Sequence, residues 1–280
     1  METFDTWDSY FYPERYVDAD GFDDYPPTLR NLKDIRDPYE LHYAEYSATA
    51  RRGAELSAGL ASVERTYDAE HLRAIHRYLF QDVYAWAGEY RSVDITKGRT
   101  DFANVGDGSI DRRLRGVQAR VESVDWSTLD RRSFAEHSSA VFAELNIAHP
   151  FREGNGRSSK MFMEHVAERS PFEMNWAAVS PAVWNQRSEL SGPDPATPWS
   201  PPGWDTHPEE LHAVFYAIAT ERPAAAKPEL SPELRELRAS LSGSYPRPAQ
   251  EATRKPSTGR VEEGRPRAGY DGRGSTGRSR

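Results

Sequence analysis

The sequence predicts an all-α fold interrupted by one β-hairpin, and three observations carry that prediction. Between Asp37 and Leu190, apolar residues recur at spacings of three and four in successive segments. A helix-start signal opens the first of them, Asp37-Pro38-Tyr39-Glu40, a cap, a first-position proline and a glutamate three residues after the cap. Only Tyr90–Val105 alternates instead, with Val93 and Ile95 among polar neighbours and a turn at Lys97-Gly98.

Taken in order, the first helix presents Leu41, Ala44, Ala48 and Leu56. The second is expected over Asp68–Trp86 from Leu72, Ile75, Leu79 and Val83. The hairpin follows. Ile110, Leu114, Val117 and Val121 mark a third helix, and Phe134, Val141, Leu145 and Ala148 a fourth. A fifth is expected over Arg157–Glu168, carrying Met161, Phe162 and Val166. Trp176 and Trp184 read as core residues. Ser191–Thr206 is rich in proline and reads as a loop pinned by Trp199 and Trp204; a helix over Glu209–Thr220 closes the body. The expected division is an N-terminal extension (1–36), a helical domain (37–222) and a tail (223–280).

The tail is expected to be disordered. From Ser242 onward it has no Leu, Ile, Phe, Met or Trp, so burial cannot offset an ordering entropy of about 1–2 kcal/mol per residue. One short helix is possible before it, at Pro232–Leu241. The tail carries a net charge of +5 and residues 1–222 a net of −13, which together give the −8 of the whole chain. A body so acidic repels nucleic acid on average. The tail lacks the interleaved aromatics that single strands stack on, so nucleic-acid binding is not expected of it. No cysteine is present, which excludes a disulfide framework, a thiolate zinc site and a cysteine nucleophile. Neither a membrane span nor a secretory leader is expected, and a cytoplasmic setting follows from that reading.

Chemistry concentrates in His149–Lys160, HPFREGNGRSSK. Gly154-Asn155-Gly156 stands just before a helix, where two glycines and unpaired N–H groups make an anion nest at the positive end of the helix dipole. Arg157 and Lys160 follow at i and i+3, a fork for phosphate and a point charge. Glu153 is a hard oxygen ligand suited to Mg²⁺. His149 is the group in the segment that titrates near neutrality, fit to take a proton from a hydroxyl. Together these are the parts of phosphoryl or nucleotidyl transfer. The spacing matches neither a Walker A loop nor GxGxxG.

The segment resembles the signature of the Fic family, HxFx(D/E)GNGRxxR. Its surroundings are similar to the family as well. Ile75–Arg91 looks like the stretch before the family's flap, VDITKGRTDFANV looks like the flap, and DSYFYP and LKDIRDPYEL resemble the N-terminal segment of Fic toxins and translocated effectors. The likeness covers about residues 8–190. It implies a Fic-type helical bundle that transfers AMP from ATP, with Mg²⁺, to a Ser, Thr or Tyr hydroxyl of a target protein. By the same resemblance His149 is the base, Phe151 anchors the loop, and Glu153 holds the metal. Gly154, Asn155, Gly156 and Arg157 bind phosphates, and Lys160 stands where the family has a second arginine. Lys97, Gly98, Arg99 and Thr100 form the flap with Phe102 as its clamp, and a target segment aligns beside that hairpin. The intact GNGR argues against the kinase-like Doc branch.

Many relatives carry an inhibitory helix with the pattern (S/T)xxxE(G/N). Thr66…Glu70 has the spacing, but His71 follows, so no strict match occurs. The resemblance therefore implies a toxin restrained by a separate small antitoxin protein. Two other readings stay open: a phosphotransferase using the same loop, and a non-catalytic module that binds nucleotide or protein.

Overall fold

The computed structural model describes residues 3–21, 24–97, 100–193 and 206–223, together with the backbone but not the side chains of Lys97 and Thr100. Trp199, Trp204, Pro232–Leu241 and all but the first residue of the expected tail lie outside the described residues.

Seven α-helices and two small antiparallel strand pairs stand among the described residues. The helices are α1 (Pro38–Ser57), α2 (Ala69–Phe80), α3 (Ser109–Ser123), α4 (Arg131–Ala148), α5 (Asn155–Ala167), α6 (Pro181–Leu190) and α7 (Glu209–Ile218). The hairpin is β1 (Thr96–Lys97) with β2 (Thr100–Asp101). The all-α reading holds, with one addition. A second pair, β3 (Phe172–Met174) with β4 (Ala219–Glu221), clamps the end of α7 beside α5.

The expected start signal caps α1, and two further aspartates cap α2 and α4. Asp37 accepts from the N–H groups of Tyr39 and Glu40, Asp68 from that of His71, and Asp130 from that of Ser133. α4 is the central helix, wholly buried along Phe134, Val141, Leu145 and Ala148 and packed by α3, α5 and α7. On α1 the buried face differs from the expected one. It runs Leu41, Glu45, Thr49, Arg52, Leu56, with Ala44 and Ala48 at its margin. Polar residues occupy it because they have hydrogen-bonding partners there. Arg52 grips Asp82 through Nε and Nη2 at 2.8 and 2.9 Å, and Tyr78 donates to Glu55 at 2.6 Å.

α2 is shorter than expected. It ends at Phe80, and Asp82–Ala87 turns instead. Val83 and Trp86 stay buried, so the apolar spacing continues while the backbone does not. The Val83 carbonyl accepts from the Leu32 N–H of the N-terminal segment, which a helical continuation would forbid. That segment folds back as a ribbon with Phe11 opposite Leu29 and buries Tyr10 against Trp86. α7 likewise stops at Ile218, where β4 begins.

Three histidines are buried and neutral. His71 accepts from the Tyr67 N–H at Nδ1, so its Nε2–H donates to His165 Nδ1 at 2.8 Å. His76 accepts from the Gly88 N–H and donates from Nε2 to the Glu153 carbonyl at 2.9 Å. Burial is the main cause that pulls His71 and His76 down to about 3 and His165 to about 2. The unfolded chain, titrating near 6.5, therefore binds more protons than the fold below that pH. Each histidine's contribution is fully present above about pH 6.5 and falls by about 1.4 kcal/mol per pH unit below it. Thermal midpoints measured from pH 8 to pH 4.5 are expected to be flat and then to drop below about pH 6. The double variant His71→Gln, His165→Gln should show a shallower drop; an equally steep one would contradict this account.

Candidate functional site

The loop from His149 to Gly154 joins α4 to α5, and buried contacts hold it from below. Phe151 is fully buried, its ring stacked on His76 at 3.8 Å. Asn155 bridges the Phe151 backbone, accepting from its N–H at 2.9 Å and donating to its carbonyl at 2.7 Å. The carboxamide of Asn155 thus ties the loop together, and its backbone N–H is the first of α5. Gly154 has φ +84°, and a Cβ there would lie 2.2 Å from Phe80 Cζ. Gly156 is different: it is helical, and nothing stands within 4 Å of the position its Cβ would take. The first N–H groups of α5 have no partner within their own helix and open beside this space.

His149 caps α4 in the left-handed region, φ 36°, which costs a non-glycine residue about 1 kcal/mol or more. Arg91 braces it. The Arg91 Nε–H donates to the His149 carbonyl at 2.8 Å, and its backbone N–H donates to the Pro150 carbonyl at 2.7 Å. The imidazole donates from Nδ1 to the Asn146 carbonyl at 3.1 Å, so in the neutral ring the basic lone pair is on Nε2. Phe102, just past β2, stacks on the ring at 3.7 Å and 17°. The expected clamp residue therefore lies against the histidine itself.

The two cations behind the nest point to different partners. Arg157 is tied to α1: it pairs with buried Glu45, donates to Thr49 Oγ1 at 3.0 Å, and lies over the Phe80 ring at 4.7 Å. Glu45 in turn accepts from the Tyr84 hydroxyl. Lys160 extends between two half-buried indoles, 5.1 Å from the Trp176 ring and 4.7 Å from Trp184. These tryptophans, expected in the core, serve as its walls. Burial lowers the Lys160 pKa, and Glu164 one turn on opposes that shift. Glu153 is half-exposed at the loop's rim, with Oε1 3.5 Å from Arg157 and accepting from the Gly154 N–H. No cluster of three or more His, Asp or Glu suited to a metal occurs among the described residues. A lone carboxylate at an open rim fits Mg²⁺ held mainly by phosphates and water, which is how that ion is usually bound.

The structure thus gathers His149, Glu153 and Gly154 of the loop with Asn155, Gly156 and Arg157 in the first turn of α5, and sets Phe102 against His149. Lys97 and Thr100 pair across the hairpin. Gly98 and Arg99 lie outside the described residues. The sequence reading did not pick out Arg91, His76, Glu45 and Thr49 as site residues. Glu45 and Thr49 carried a signal, since they follow Leu41 at fourfold spacing on the inner face of α1. Arg152, in the same loop, turns toward the N-terminal aromatics, 4.3 Å from the Trp7 ring and 5.0 Å from Phe11.

Similarity to known proteins agrees with this geometry. The family model described as Fic/DOC family matches residues 66–167. "Probable protein adenylyltransferase Fic" of Escherichia coli (strain K12) is 31% identical over 183 residues, 65% of this chain and 83% of that protein. "Protein adenylyltransferase VbhT" of Bartonella schoenbuchensis is 35% identical over 152 residues, 54% of this chain and 31% of that longer protein. Among solved structures, the N-terminal Fic domain of a VirB-translocated Bep effector from Bartonella quintana, with bound ADP, superposes with a TM-score of 0.60 at 25% identity. It covers 77% of this chain and 96% of that one. The family match spans the whole loop from His149 to Lys160, and the likeness to the Escherichia coli relative runs through most of that protein's length, so the chain belongs to the Fic/DOC family.

Proposed function

We propose that this chain is a protein adenylyltransferase that moves AMP from ATP to a hydroxyl side chain of a target protein. The observation that carries the reading is the placement of a tautomer-fixed His149 beside the open N-terminus of α5. The target hydroxyl gives its proton to Nε2 of His149, and its oxygen bonds to the α-phosphorus. The bond from that phosphorus to the oxygen bridging toward the β-phosphate breaks, and pyrophosphate leaves. The N–H groups of Asn155, Gly156 and Arg157 and the Arg157 guanidinium hold the phosphates, and Lys160 supplies a further cation. Glu153 holds Mg²⁺, which when bound offsets phosphate charge. The hairpin around Lys97, Gly98, Arg99 and Thr100 offers an edge beside which a target segment can lie.

ATP labelled at the α-phosphate should pass its label to a target, and ATP labelled at the γ-phosphate should not. The reverse pattern would replace this reading with phosphotransfer. The finer setting also belongs to the proposal: a cytoplasmic bacterial toxin with Mg²⁺, restrained by a small antitoxin, with the catalytic unit at 37–222 between an N-terminal extension and the tail. The lack of a strict (S/T)xxxE(G/N) match supports the antitoxin. Glu70, the nearest candidate, pairs with Arg73 at 2.9 Å on the solvent side of α2, not with the loop. A neighbouring reading frame without that motif would count against it. No helix of the described residues is long and apolar enough to cross a membrane.

A further inference from the structure

Arg91 is almost wholly buried, and its guanidinium touches three separate pieces of backbone. Nε–H donates to the His149 carbonyl at 2.8 Å, Nη1–H to the Val93 carbonyl at 2.8 Å, and Nη2–H to the Ala103 carbonyl. Val93 leads into the hairpin and Ala103 leaves it. The Ala103 N–H donates in turn to the Ile147 carbonyl of α4 at 2.9 Å. Asp94, itself on the hairpin's approach, stands 3.5 Å from Nη1 and gathers Asn104 and Val105 at 2.7 and 2.9 Å. Of the two rings stacked at 3.7 Å, His149 belongs to a residue this guanidinium holds, and Phe102 immediately precedes another, Ala103.

We propose that Arg91 is a positioning residue that couples the hairpin to the catalytic histidine, so that the hairpin sets where the His149 ring stands. Both ends of the hairpin and the strained residue at the end of α4 are fastened to one planar group. A displacement at either end therefore has to move the other or break a buried bond. A segment laid along the hairpin acts on the base through this route as well as by presenting its own hydroxyl. The inference rests on His149 being the base, but the coupling itself can be read without any transfer.

The test uses the full chain with Arg91→Lys. Lysine keeps the charge and loses the fork, so it rescues an electrostatic role and cannot rescue this one. The Cδ2–H and Cε1–H resonances of His149, shifted by the stacked Phe102 ring, are expected to move toward those of an unstacked imidazole. Affinity for Mg²⁺-ATP should stay within about twofold, while incorporation of α-label into protein of a cell extract falls at least about tenfold. If Arg91→Lys fails to fold, the half-exposed Asp94→Asn should give the same movement of the resonances. Unmoved His149 resonances, or a rate loss matched by a loss of ATP affinity, would overturn the coupling. A wild-type chain that transfers no label at all overturns the proposed activity instead, while the resonances still report on the coupling.

Discussion

Replacing His149 with asparagine is expected to lower AMP transfer by about a hundredfold or more while leaving ATP binding in place. The magnitude is that of a lost general base, about 10²–10⁴ in rate. Asparagine is chosen over alanine for a backbone reason. His149 has φ 36°, and asparagine enters that region at less cost than alanine, so the bracing by Arg91 can persist. The imidazole beneath the loop cannot take over the proton. His76 is the nearest imidazole in the loop's foundation, but it is fully buried and held neutral between Gly88 and Glu153. Transfer of α-label and calorimetric ATP affinity, measured on the same preparation, check the prediction. Undiminished transfer would remove His149 from its role and favour a non-catalytic module or another base.

The second large effect falls on stability. Gly154→Ala is expected to destabilise the fold by about 2–4 kcal/mol, from overpacking and a left-handed backbone together. The added methyl would meet the ring of Phe80 at 2.2 Å, and that ring has little room to yield. It is wholly buried, stacks on His76 at 4.6 Å, and carries the Arg157 guanidinium on its face. Gly156→Ala, two residues on, should behave in the opposite way. Its Cβ meets nothing, and alanine in a helix is favoured over glycine by about 1 kcal/mol. If phosphates approach that backbone, its cost appears in ATP affinity and not in unfolding. Denaturant midpoints and ATP titrations of the two variants separate a glycine that the fold needs from one that the ligand needs. A Gly154→Ala chain as stable as the parent would contradict the account.

Legibility in the sequence followed how local each cause was. α3, α4 and α5 were plain because their buried faces are apolar at helical spacing. The inner face of α1 was not, because Glu45, Thr49, Arg52 and Glu55 sit where the pattern expects hydrocarbon; their partners lie on α2, α5 and the turn at Asp82. The start of α1 was still readable from its cap. The β3–β4 pair joins three-residue strands far apart in the chain, with no turn between them to announce it. The loop showed its residue types clearly and their division of labour poorly. Nothing local says that Asn155 spends its carboxamide on Phe151, that Arg152 turns toward Trp7, or that Lys160 lies between Trp176 and Trp184. Each of those partners is brought in by packing.

The stretch that marks the family and the stretch that makes the site are consequently different lengths of chain. The match over 66–167 leaves out Glu45 and Thr49, which orient Arg157, the Trp7 and Phe11 rings over Arg152, and the two indoles around Lys160. Grafting only the matched residues onto a foreign scaffold would carry over every letter of the loop and leave its cations without the walls that aim them. A transplant, or a minimal domain for engineering, has to be cut by these contacts and not by the motif.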